Sequence, residues 1–280
     1  MKNILVVITT AFVPTGGLTT VMMNYYRMMN KEEVKIDFAS TNNPPQVLLD
    51  EIHASGSEYY QLSDRKNVLA YFFALKKLCR GYDAIHVHAN SAMAVMELQA
   101  AIWAGIKIRI IHNHNSRSQH NLLNQLFLSL YRRSFTQAVA CSDEAGEWLY
   151  GKNGFITLRN AINAKRFKFD VVKRLIMRHN FGFGDDEYVI GHIGKFMEAK
   201  NHSFLIEVFA KYHALQPKSK LLLIGDGELR HLVEAAIDKN KVNDCVILAG
   251  LRSDISDVLQ AMDIFLFPSI YEGMPLSVVE

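Results

Sequence analysis

The chain has 280 residues, of which 49% are hydrophobic and 21% are charged. This composition is typical of a globular protein and excludes long disorder, collagen-like repeats and a small disulfide scaffold. Its 31 basic and 28 acidic side chains give a net charge of +3. Since dedicated nucleic-acid-binding domains are far more basic, no nucleic acid partner is predicted.

Cys79, Cys141 and Cys245 are isolated in apolar runs, and no pair has the spacing of a metal-ligand or redox motif. They predict reduced core residues of a cytoplasmic protein. The apolar run at the N-terminus, Ile4–Ile8, is too short for a signal peptide, and no run approaches the ~20 residues that span a membrane.

The first half of the chain alternates short β-branched segments with longer segments of helical periodicity. The predicted strands are Ile4–Ile8, Val34–Ala39, Ala84–Val87, Lys107–Ile111 and Gln137–Cys141. The predicted helices are Leu18–Asn30, Val68–Arg80, Ser91–Ala104 and Leu122–Phe135. This alternation indicates a parallel sheet with helices on both faces.

The pattern loosens over residues 158–170 and then begins again. The second set of predicted strands is Tyr188–Ile193, Lys220–Ile224, Cys245–Leu248 and Ile264–Phe267. The helices between them are Ser203–Leu215, Leu229–Asp238 and Ile255–Ala261. We therefore predict an α/β protein with two Rossmann-like, doubly wound domains facing a crevice, residues 1–165 and 166–280. The second domain is expected to be incomplete, because the sequence stops in the first turns of a predicted helix.

A glycine turn follows the first predicted strand and opens the first helix. Gly16 and Gly17 would let the backbone approach a ligand, and the helix N-terminus offers N–H groups to an anion. The third glycine of the dinucleotide-binding fingerprint is missing. A phosphate-binding loop and an ordinary tight turn both fit this segment.

Four histidines lie at the ends of two successive strands, where an open α/β sheet binds its ligands. Alternation places His86 and His88 on one face, and likewise His112 and His114. No carboxylate or thiol is adjacent, so no metal site is predicted. Hydrogen bonds to loop backbone are the alternative for each pair, but the polar loop 113–117 favours a functional role for the second.

Two lysines follow the first strand of the second domain. Lys195 and Lys200 flank a short segment before a helix, a position that suits a diphosphate because the helix dipole also favours negative charge. A solvated pair of charges is the alternative. Residues 225–227 form another glycine turn at a strand end.

Two glutamates near the end of the sequence, Glu272 and Glu280, are separated by seven residues. They flank a turn in which Pro275 opens a helix. This spacing predicts Glu272 at the rim of the crevice and Glu280 about one and a half to two turns into the helix. The first N–H groups of that helix, on Leu276 and Ser277, would face an anion.

With these segments in this order, the sequence resembles glycosyltransferase family 4, retaining enzymes of the GT-B fold, and particularly the bacterial exopolysaccharide and capsule enzymes. The segment from Glu272 to Glu280 looks like the paired-glutamate motif of that family. The glycine loop, Asn160–Ile162 and the lysine segment fall in the family's order. No Asp-x-Asp motif is present, in agreement with a metal-independent enzyme.

The resemblance implies roles on the donor side. Lys195 and Lys200 would neutralise the donor diphosphate, and Glu280 would bind the ribose hydroxyls. Glu272 would hold the donor sugar and phosphate together with the backbone of the turn, which comprises Gly273, Met274, Pro275 and Leu276.

The resemblance also implies roles for the first domain. The loop of Gly16 and Gly17 would approach the donor phosphate. His112 or His114, with His114 favoured, would lie against the transferred sugar. The implied catalytic residues are therefore His114, His112 and Glu272.

The implied reaction moves a sugar, with retention, from a nucleotide-sugar donor to a lipid-linked saccharide acceptor in surface polysaccharide synthesis. A UDP-sugar is favoured as donor, and no cofactor or metal is implied. Two alternatives stay open: a GT-B-like UDP-sugar 2-epimerase, and a truncated relative without catalytic activity.

The predicted helix Leu122–Phe135 has a leucine-rich stripe that ends in Arg132 and Arg133. Such a stripe suits either a membrane surface or the protein core. The first of these predicts a cytoplasmic protein with peripheral contact at the inner face of the cytoplasmic membrane. The basic residues between 159 and 178 suit either lipid headgroups or a solvated linker.

Overall fold

The computed structural model describes residues 1–117 and 121–280. The chain divides into two compact units, Met1–Ala161 and Ile162–Glu280. The boundary predicted after residue 165 falls four residues later than this division. Each unit has its own sheet and its own hydrophobic core.

The first unit is built on a seven-stranded sheet in the order β3-β2-β1-β4-β5-β6-β7, and every adjacent pair is parallel. The strands are β1 Lys2–Ile8, β2 Val34–Ser40, β3 Tyr59–Gln61, β4 Ala84–Ala89, β5 Ile108–Asn113, β6 Gln137–Ala140 and β7 Ile156–Thr157. The helices are α1 Gly17–Met28, α2 Gln46–Ala54, α3 Val68–Cys79, α4 Val95–Ala104, α5 Asn121–Ser134 and α6 Asp143–Tyr150.

The second unit has a four-stranded parallel sheet in the order β10-β9-β8-β11. Its strands are β8 Tyr188–Ile193, β9 Ser219–Ile224, β10 Val246–Leu248 and β11 Ile264–Phe265. Its helices are α7 Val171–Phe181, α8 His202–Leu215, α9 Arg230–Asn240, α10 Ile255–Val258 and α11 Leu276–Val279.

Both sheets have a point at which the strand order reverses. In the first unit it lies between β1 and β4, and in the second between β8 and β11. In open α/β sheets, ligands bind at the carboxyl ends of the strands on either side of such a point. The topology therefore directs attention to the loops after β1 and β4, and to the loops after β8 and β11.

Hydrophobic residues cover the sheets as the sequence pattern predicts. In the first unit, β1 and β2 pack against α1 through Val6, Phe38 and Met23. In the second unit, residues of β9 alternate between two clusters, with Leu221 in one and Leu222 in the other. Both faces of this sheet are therefore buried, which is the expected state of a parallel sheet between helix layers.

The predicted α/β class with doubly wound parallel sheets is confirmed. The sequence analysis missed five elements: α2, β3, α6, β7 and α7. The strands β3 and β7 have only three and two residues, too few to show a period. Helix α7 carries many basic residues, so its segment resembles a linker in the sequence. Most of its apolar side chains, such as Val171 and Leu175, are exposed in the structure.

The three cysteines are buried, as predicted. Across residues 1–117 and 121–280, no helix combines the length and the apolar character that crossing a membrane requires.

Candidate active site

The loop after β1 is joined to the end of β4. The backbone N–H and the hydroxyl of Thr9 both donate to the carbonyl oxygen of His88, at 3.1 and 3.0 Å. Gly16 closes a tight turn by donating its N–H to the carbonyl of Val13 at 2.9 Å, and α1 begins at Gly17. The predicted glycine loop therefore lies at the strand ends beside the β1/β4 reversal.

The four histidines form one cluster, which we call the histidine cluster: His86, His88, His112 and His114. In the register of β4 and β5, His88 lies opposite His112. The ring centroids are 4.3 Å apart for His86 and His88, and 4.1 Å apart for His112 and His114. The rings of His88 and His114 are 5.1 Å apart. The strand alternation read from the sequence thus brings both pairs together on one face.

One hydrogen bond joins two members of the cluster: Nδ1 of His88 lies 2.9 Å from Nε2 of His114. Other ring nitrogens are buried without any hydrogen-bond partner among the described residues. They are Nε2 of His86, Nδ1 of His114 and both nitrogens of His112. Hydrogen bonds to loop backbone, the alternative raised by the sequence, therefore do not account for these side chains. Buried polar atoms in folded proteins nearly always have a hydrogen-bond partner, so these nitrogens mark the cluster as a candidate binding site.

Burial keeps the cluster neutral at pH 7. It lowers the pKa of His86 to about 4 and the pKa of His114 to about 3. The pKa values of His88 and His112 lie well below the ordinary value, chiefly because of burial and also because of the neighbouring imidazoles. A neutral imidazole has one donor and one acceptor nitrogen, so the cluster offers hydrogen bonds rather than charge.

Three of these side chains stand close enough to invite comparison with a metal site. Ring nitrogens of His86, His88 and His112 lie within 4.8 Å of one another. A histidine that binds a metal almost always donates its second ring nitrogen to a carboxylate or carbonyl group. Neither nitrogen of His112 has such a partner in the described chain, and the group includes no anionic ligand. The donor set therefore suits a polar organic ligand better than a cation.

A cavity of about 310 Å³ adjoins the histidine cluster within the first unit. Its walls include Met22 and Tyr25 of α1 together with His86 and His88 of β4. The Tyr25 hydroxyl donates to the carbonyl of Arg159 at 2.6 Å, and burial raises its pKa to about 12. The Tyr25 ring lies 6.4 Å from that of His112, so the cavity and the cluster are continuous.

In the second unit, the loops after β8 and β9 interlock. Gly225 has φ +140°, and a Cβ atom there would lie 2.0 Å from the carbonyl oxygen of Gly194. A Cβ atom on Gly227 would lie 2.5 Å from the carbonyl oxygen of Phe196, whose N–H donates to the carbonyl of Asp226 at 3.0 Å. The glycines predicted at these strand ends are therefore required by close packing of backbone on backbone.

Lys200 and Glu272, two of the predicted site residues, form an ion pair. Lys200 Nζ lies 2.6 Å from Glu272 Oε1, and the two side chains are 16% and 24% exposed. The N–H of Ile270 donates to the carbonyl of Ala199 at 2.8 Å, which ties their two loops together. The structure therefore joins the lysine segment to the glutamate motif beside the β8/β11 reversal.

Lys195, the second predicted lysine, makes a different pair. Its Nζ lies 2.9 Å from Glu228 Oε2, and these side chains are 60% and 55% exposed. Lys195 thus resembles the solvated charge that the sequence analysis kept as an alternative. Its proposed role at a diphosphate stays a prediction.

The glutamate motif contains a short helix at the place where the sequence predicts one. Helix α11 begins at Leu276, after Pro275 and the turn of Gly273 and Met274, and it ends at Val279. The N–H of Glu280 donates to the carbonyl of Leu276 at 2.9 Å, which is the i to i−4 hydrogen bond of an α-helix, so Glu280 continues the turn that begins at Leu276. Pro275, with extended backbone angles, immediately precedes the helix. Burial raises the pKa of Glu280, while nearby Arg166 opposes the shift.

The sequence analysis assigned no role to two further histidines beside these loops. His192 Nδ1 lies 2.8 Å from the carbonyl oxygen of Leu266, and its Nε2 is buried without a hydrogen-bond partner in the described chain. A Cβ atom on Gly194 would come within 2.9 Å of that nitrogen. His202 Nε2 is likewise buried and unpartnered within the described ranges. The sequence could have indicated both histidines by their position, because His192 lies two residues before Gly194 and His202 two residues after Lys200.

Comparison with known proteins gives two family matches. Residues 15–172 match the family model described as Glycosyltransferase Family 4, and residues 173–280 match the one described as Glycosyl transferases group 1. The first of these covers more than half of the chain. The second contains Lys195, Lys200 and both motif glutamates.

Two curated relatives match over almost the whole chain. EpsF of Bacillus subtilis (strain 168), named as a glycosyltransferase, is 29% identical over 95% of this chain and 73% of its own length. The UDP-Gal:alpha-D-GlcNAc-diphosphoundecaprenol alpha-1,3-galactosyltransferase of Escherichia coli is 23% identical, with the same coverage of both chains.

Among solved structures, Alr3699/HepE of Anabaena in complex with UDP and glucose matches with a TM-score of 0.79 and 17% identity. The match covers 96% of this chain and 74% of that chain. At this identity the likeness speaks for the fold alone, and it confirms the predicted GT-B class.

Proposed function

Because the chain belongs to glycosyltransferase family 4, and is thus a glycosyltransferase, we propose that it moves a sugar, with retention, from a UDP-sugar to a lipid-linked saccharide. The observation that carries this proposal is the ion pair of Lys200 and Glu272, in the loops where the second sheet reverses its strand order. A cation and a carboxylate held together there suit a ligand with both a diphosphate and sugar hydroxyls.

On the donor side, departure of the nucleoside diphosphate places negative charge on its phosphate oxygens. The Lys200 ammonium offsets that charge as it develops, which is the electrostatic form of catalysis expected to contribute most. Glu272 accepts hydrogen bonds from hydroxyls of the sugar. Lys195 joins the diphosphate by leaving its exposed pair with Glu228. Glu280 accepts hydrogen bonds from the ribose.

On the side of the first unit, the histidine cluster supplies neutral groups. Because burial keeps His112 and His114 uncharged, they bind hydroxyls without repelling a sugar that becomes cationic in the transition state. None of these imidazoles is a strong base, since their pKa values are low. We propose that the leaving phosphate accepts the proton of the attacking acceptor hydroxyl, on the face that the leaving group vacates.

The relatives support the choice of substrates. The Escherichia coli relative is named for a UDP-sugar donor and a diphosphoundecaprenol-linked acceptor. The HepE structure is titled as a complex with UDP and glucose. A UDP-sugar and a polyprenyl-diphosphate saccharide are therefore the first substrates to test.

The test is a transfer assay with UDP-sugars and a polyprenyl-diphosphate-linked N-acetylhexosamine, comparing the wild-type chain with Glu272→Gln. We expect kcat/KM of the variant to fall by about 100-fold or more, because Gln removes the charge that acts at the reacting centre. Glu234→Gln is the matched control, since the ion pair that Glu234 forms with Arg230 is exposed on α9.

Unchanged transfer by Glu272→Gln would remove that carboxylate from the mechanism. Product NMR reports the anomeric configuration, and an inverted product would contradict retention. Conversion of the UDP-sugar without any acceptor would favour the epimerase, and absence of both reactions would favour a non-catalytic relative.

We further propose that α5 rests on an anionic membrane surface, where a lipid-linked acceptor is found. Its leucine stripe is exposed: Leu122, Leu126 and Leu130 have exposed fractions of 84%, 71% and 48%. These positions are spaced by four residues and lie on one helix face, followed by exposed Arg133. The sequence analysis raised burial in the core as the alternative. Among the larger apolar residues of α5, only Tyr131 is buried.

Sedimentation with vesicles tests this contact. We expect the protein to bind vesicles that contain phosphatidylglycerol more strongly than vesicles of phosphatidylcholine. Leu126→Glu should weaken binding roughly tenfold, because it removes an apolar side chain from the contact and adds a negative charge that the anionic lipids repel. Leu215→Glu is the control, since Leu215 is equally exposed, at 78%, but lies at the end of α8. Equal loss in both variants, or none in Leu126→Glu, would contradict the proposal.

A further inference from the structure

Two histidines of the cluster share a single proton position. Nδ1 of His88 and Nε2 of His114 are 2.9 Å apart, the distance of a hydrogen bond. Burial lowers the pKa of both side chains far enough that both are neutral at pH 7. One nitrogen of this pair must therefore carry hydrogen and the other must present its lone pair.

Only two arrangements satisfy that bond. If His114 Nε2–H donates, then Nδ1 of His114 carries no hydrogen, and His88 carries its hydrogen on Nε2. If instead His88 Nδ1–H donates, then both residues must adopt the Nδ1–H tautomer. Free neutral histidine is a mixture of both tautomers in which Nε2–H predominates, and the first arrangement holds both residues entirely in that form.

The surroundings hold both rings in place. The His88 ring packs against those of His86 and His112, with centroids 4.3 and 5.0 Å away. Its backbone carbonyl accepts two hydrogen bonds from Thr9. The N–H of His114 donates to the carbonyl of Ala89 at 3.2 Å, which anchors the end of β5 against β4. The backbone hydrogen bonds fix where the two side chains start, and the neighbouring rings, with His112 also 4.1 Å from His114, restrict their rotation.

The other nitrogen of His114 is the one that matters for a ligand. Nδ1 of His114 is buried without a hydrogen-bond partner among the described residues, whereas the residue as a whole is partly exposed at the strand end. A buried polar atom without a partner is costly, and a bound hydroxyl is a partner that would relieve this cost. An acceptor nitrogen suits a hydroxyl that donates.

We propose that His88 is a positioning residue that holds His114 in the Nε2–H tautomer, so that Nδ1 of His114 accepts a hydrogen bond from a substrate hydroxyl. The role in substrate binding rests on the proposed function; the tautomer does not. His88 thereby selects substrates that carry a hydroxyl at that point, because an analogue without it leaves Nδ1 unpartnered.

Nitrogen NMR tests the tautomer without any substrate. The full chain is labelled with ¹⁵N-histidine, and long-range ¹H–¹⁵N correlations separate protonated from unprotonated ring nitrogens. His114→Asn identifies the signals of His114. We expect wild-type His114 to be protonated on Nε2 and not on Nδ1. Protonation on Nδ1 would overturn the proposal.

Two substitutions of His88 test its control over His114. His88→Leu removes the acceptor, and we expect the His114 signals to shift toward a mixture of tautomers. His88→Asn places an amide oxygen near the position of Nδ1, and we expect it to restore the wild-type signals. His231→Leu, on the exposed face of α9, is the control for loss of a histidine. Wild-type signals of His114 in His88→Leu would also overturn the proposal.

Kinetics then test the role in transfer. We expect kcat/KM to fall roughly tenfold in His88→Leu, the loss of about one hydrogen bond to a buried group. His88→Asn should recover most of this loss. A donor or acceptor that lacks the recognised hydroxyl should react equally with wild type and His88→Leu. If kcat/KM still differs between wild type and His88→Leu with every deoxy analogue, recognition of a hydroxyl is refuted.

The two proposals fail in distinguishable ways. If the wild-type chain transfers no sugar while the NMR results are as expected, the proposed function fails and the tautomer assignment stands. If transfer occurs but His114 is protonated on Nδ1, the present inference fails alone.

Discussion

At the scale of single residues, burial separates the two predicted lysines. Lys200 and Glu272 pair at 2.6 Å with side chains 16% and 24% exposed, whereas both partners in the pair of Lys195 and Glu228 are more than half exposed. Exposed ion pairs contribute little, because water and salt screen them. We therefore expect substitution of Lys200 to have the larger effect, although the sequence pattern treats both lysines alike.

Buried neutral histidines should also make stability depend on pH. The pKa of His86 is lowered to about 4, and that of His192 also to about 4, both mainly by burial. Between pH 4 and 6.5 the unfolded chain takes up protons that the folded chain does not. The free energy of unfolding should therefore be at its full value above pH 6.5 and fall as the pH drops toward 4.

Urea unfolding at pH 7.0, 6.0 and 5.0 measures this effect. Each such histidine contributes a slope of up to about 1.4 kcal/mol per pH unit. His86→Leu removes one of these groups, so its stability should change less steeply with pH, whatever its stability at pH 7. His231→Leu, at an exposed position, should keep the wild-type slope. A slope in His86→Leu as steep as in wild type would contradict this account.

At the scale of elements, the site depends on how the strand ends meet. Parallel pairing of β4 with β5 sets His88 opposite His112, and the tie between the loops at Ala199 and Ile270 sets Lys200 beside Glu272. The glycine turns after β8 and β9 provide the close packing that these loops need. A change in backbone at those turns should thus lower stability and disturb the pairing of Lys200 with Glu272.

Gly225→Ala tests this packing. Gly225 has φ +140°, and a Cβ atom would lie 2.0 Å from the carbonyl oxygen of Gly194, where only backbone could yield. We expect a loss of roughly 2–4 kcal/mol in the free energy of unfolding, from backbone strain together with the clash. Gly184→Ala is the control, because its nearest contact, with Asp186, is 3.4 Å. Equal stability of the two variants by urea unfolding would contradict the packing argument.

At the scale of the whole molecule, each unit is an open parallel sheet with its own core and its own reversal of strand order. The first unit places neutral imidazoles at its reversal, and the second places an ion pair. These are different chemical environments, one suited to hydroxyls and the other to a phosphate and a sugar. The family matches divide the chain in a similar way, between residues 172 and 173.

Much of this architecture follows from local sequence. Alternation of β-branched and helical segments predicted the α/β class, and β8 was predicted with its observed bounds, Tyr188–Ile193. The long, periodic helices were predicted to within a few residues. Short or highly charged elements such as β7 and α7 were missed, because two residues show no period and a basic helix with an exposed apolar face resembles a linker.

The sequence by itself determined the chemistry available at the strand ends: glycine turns, paired histidines, lysines and two spaced glutamates. Only the tertiary structure decided which of these groups meet. Lys200 and Glu272 are 72 positions apart, and His88 and His114 are 26 apart. Whether such groups touch depends on strand order, register and burial, which arise from long-range packing and leave no trace in local periodicity.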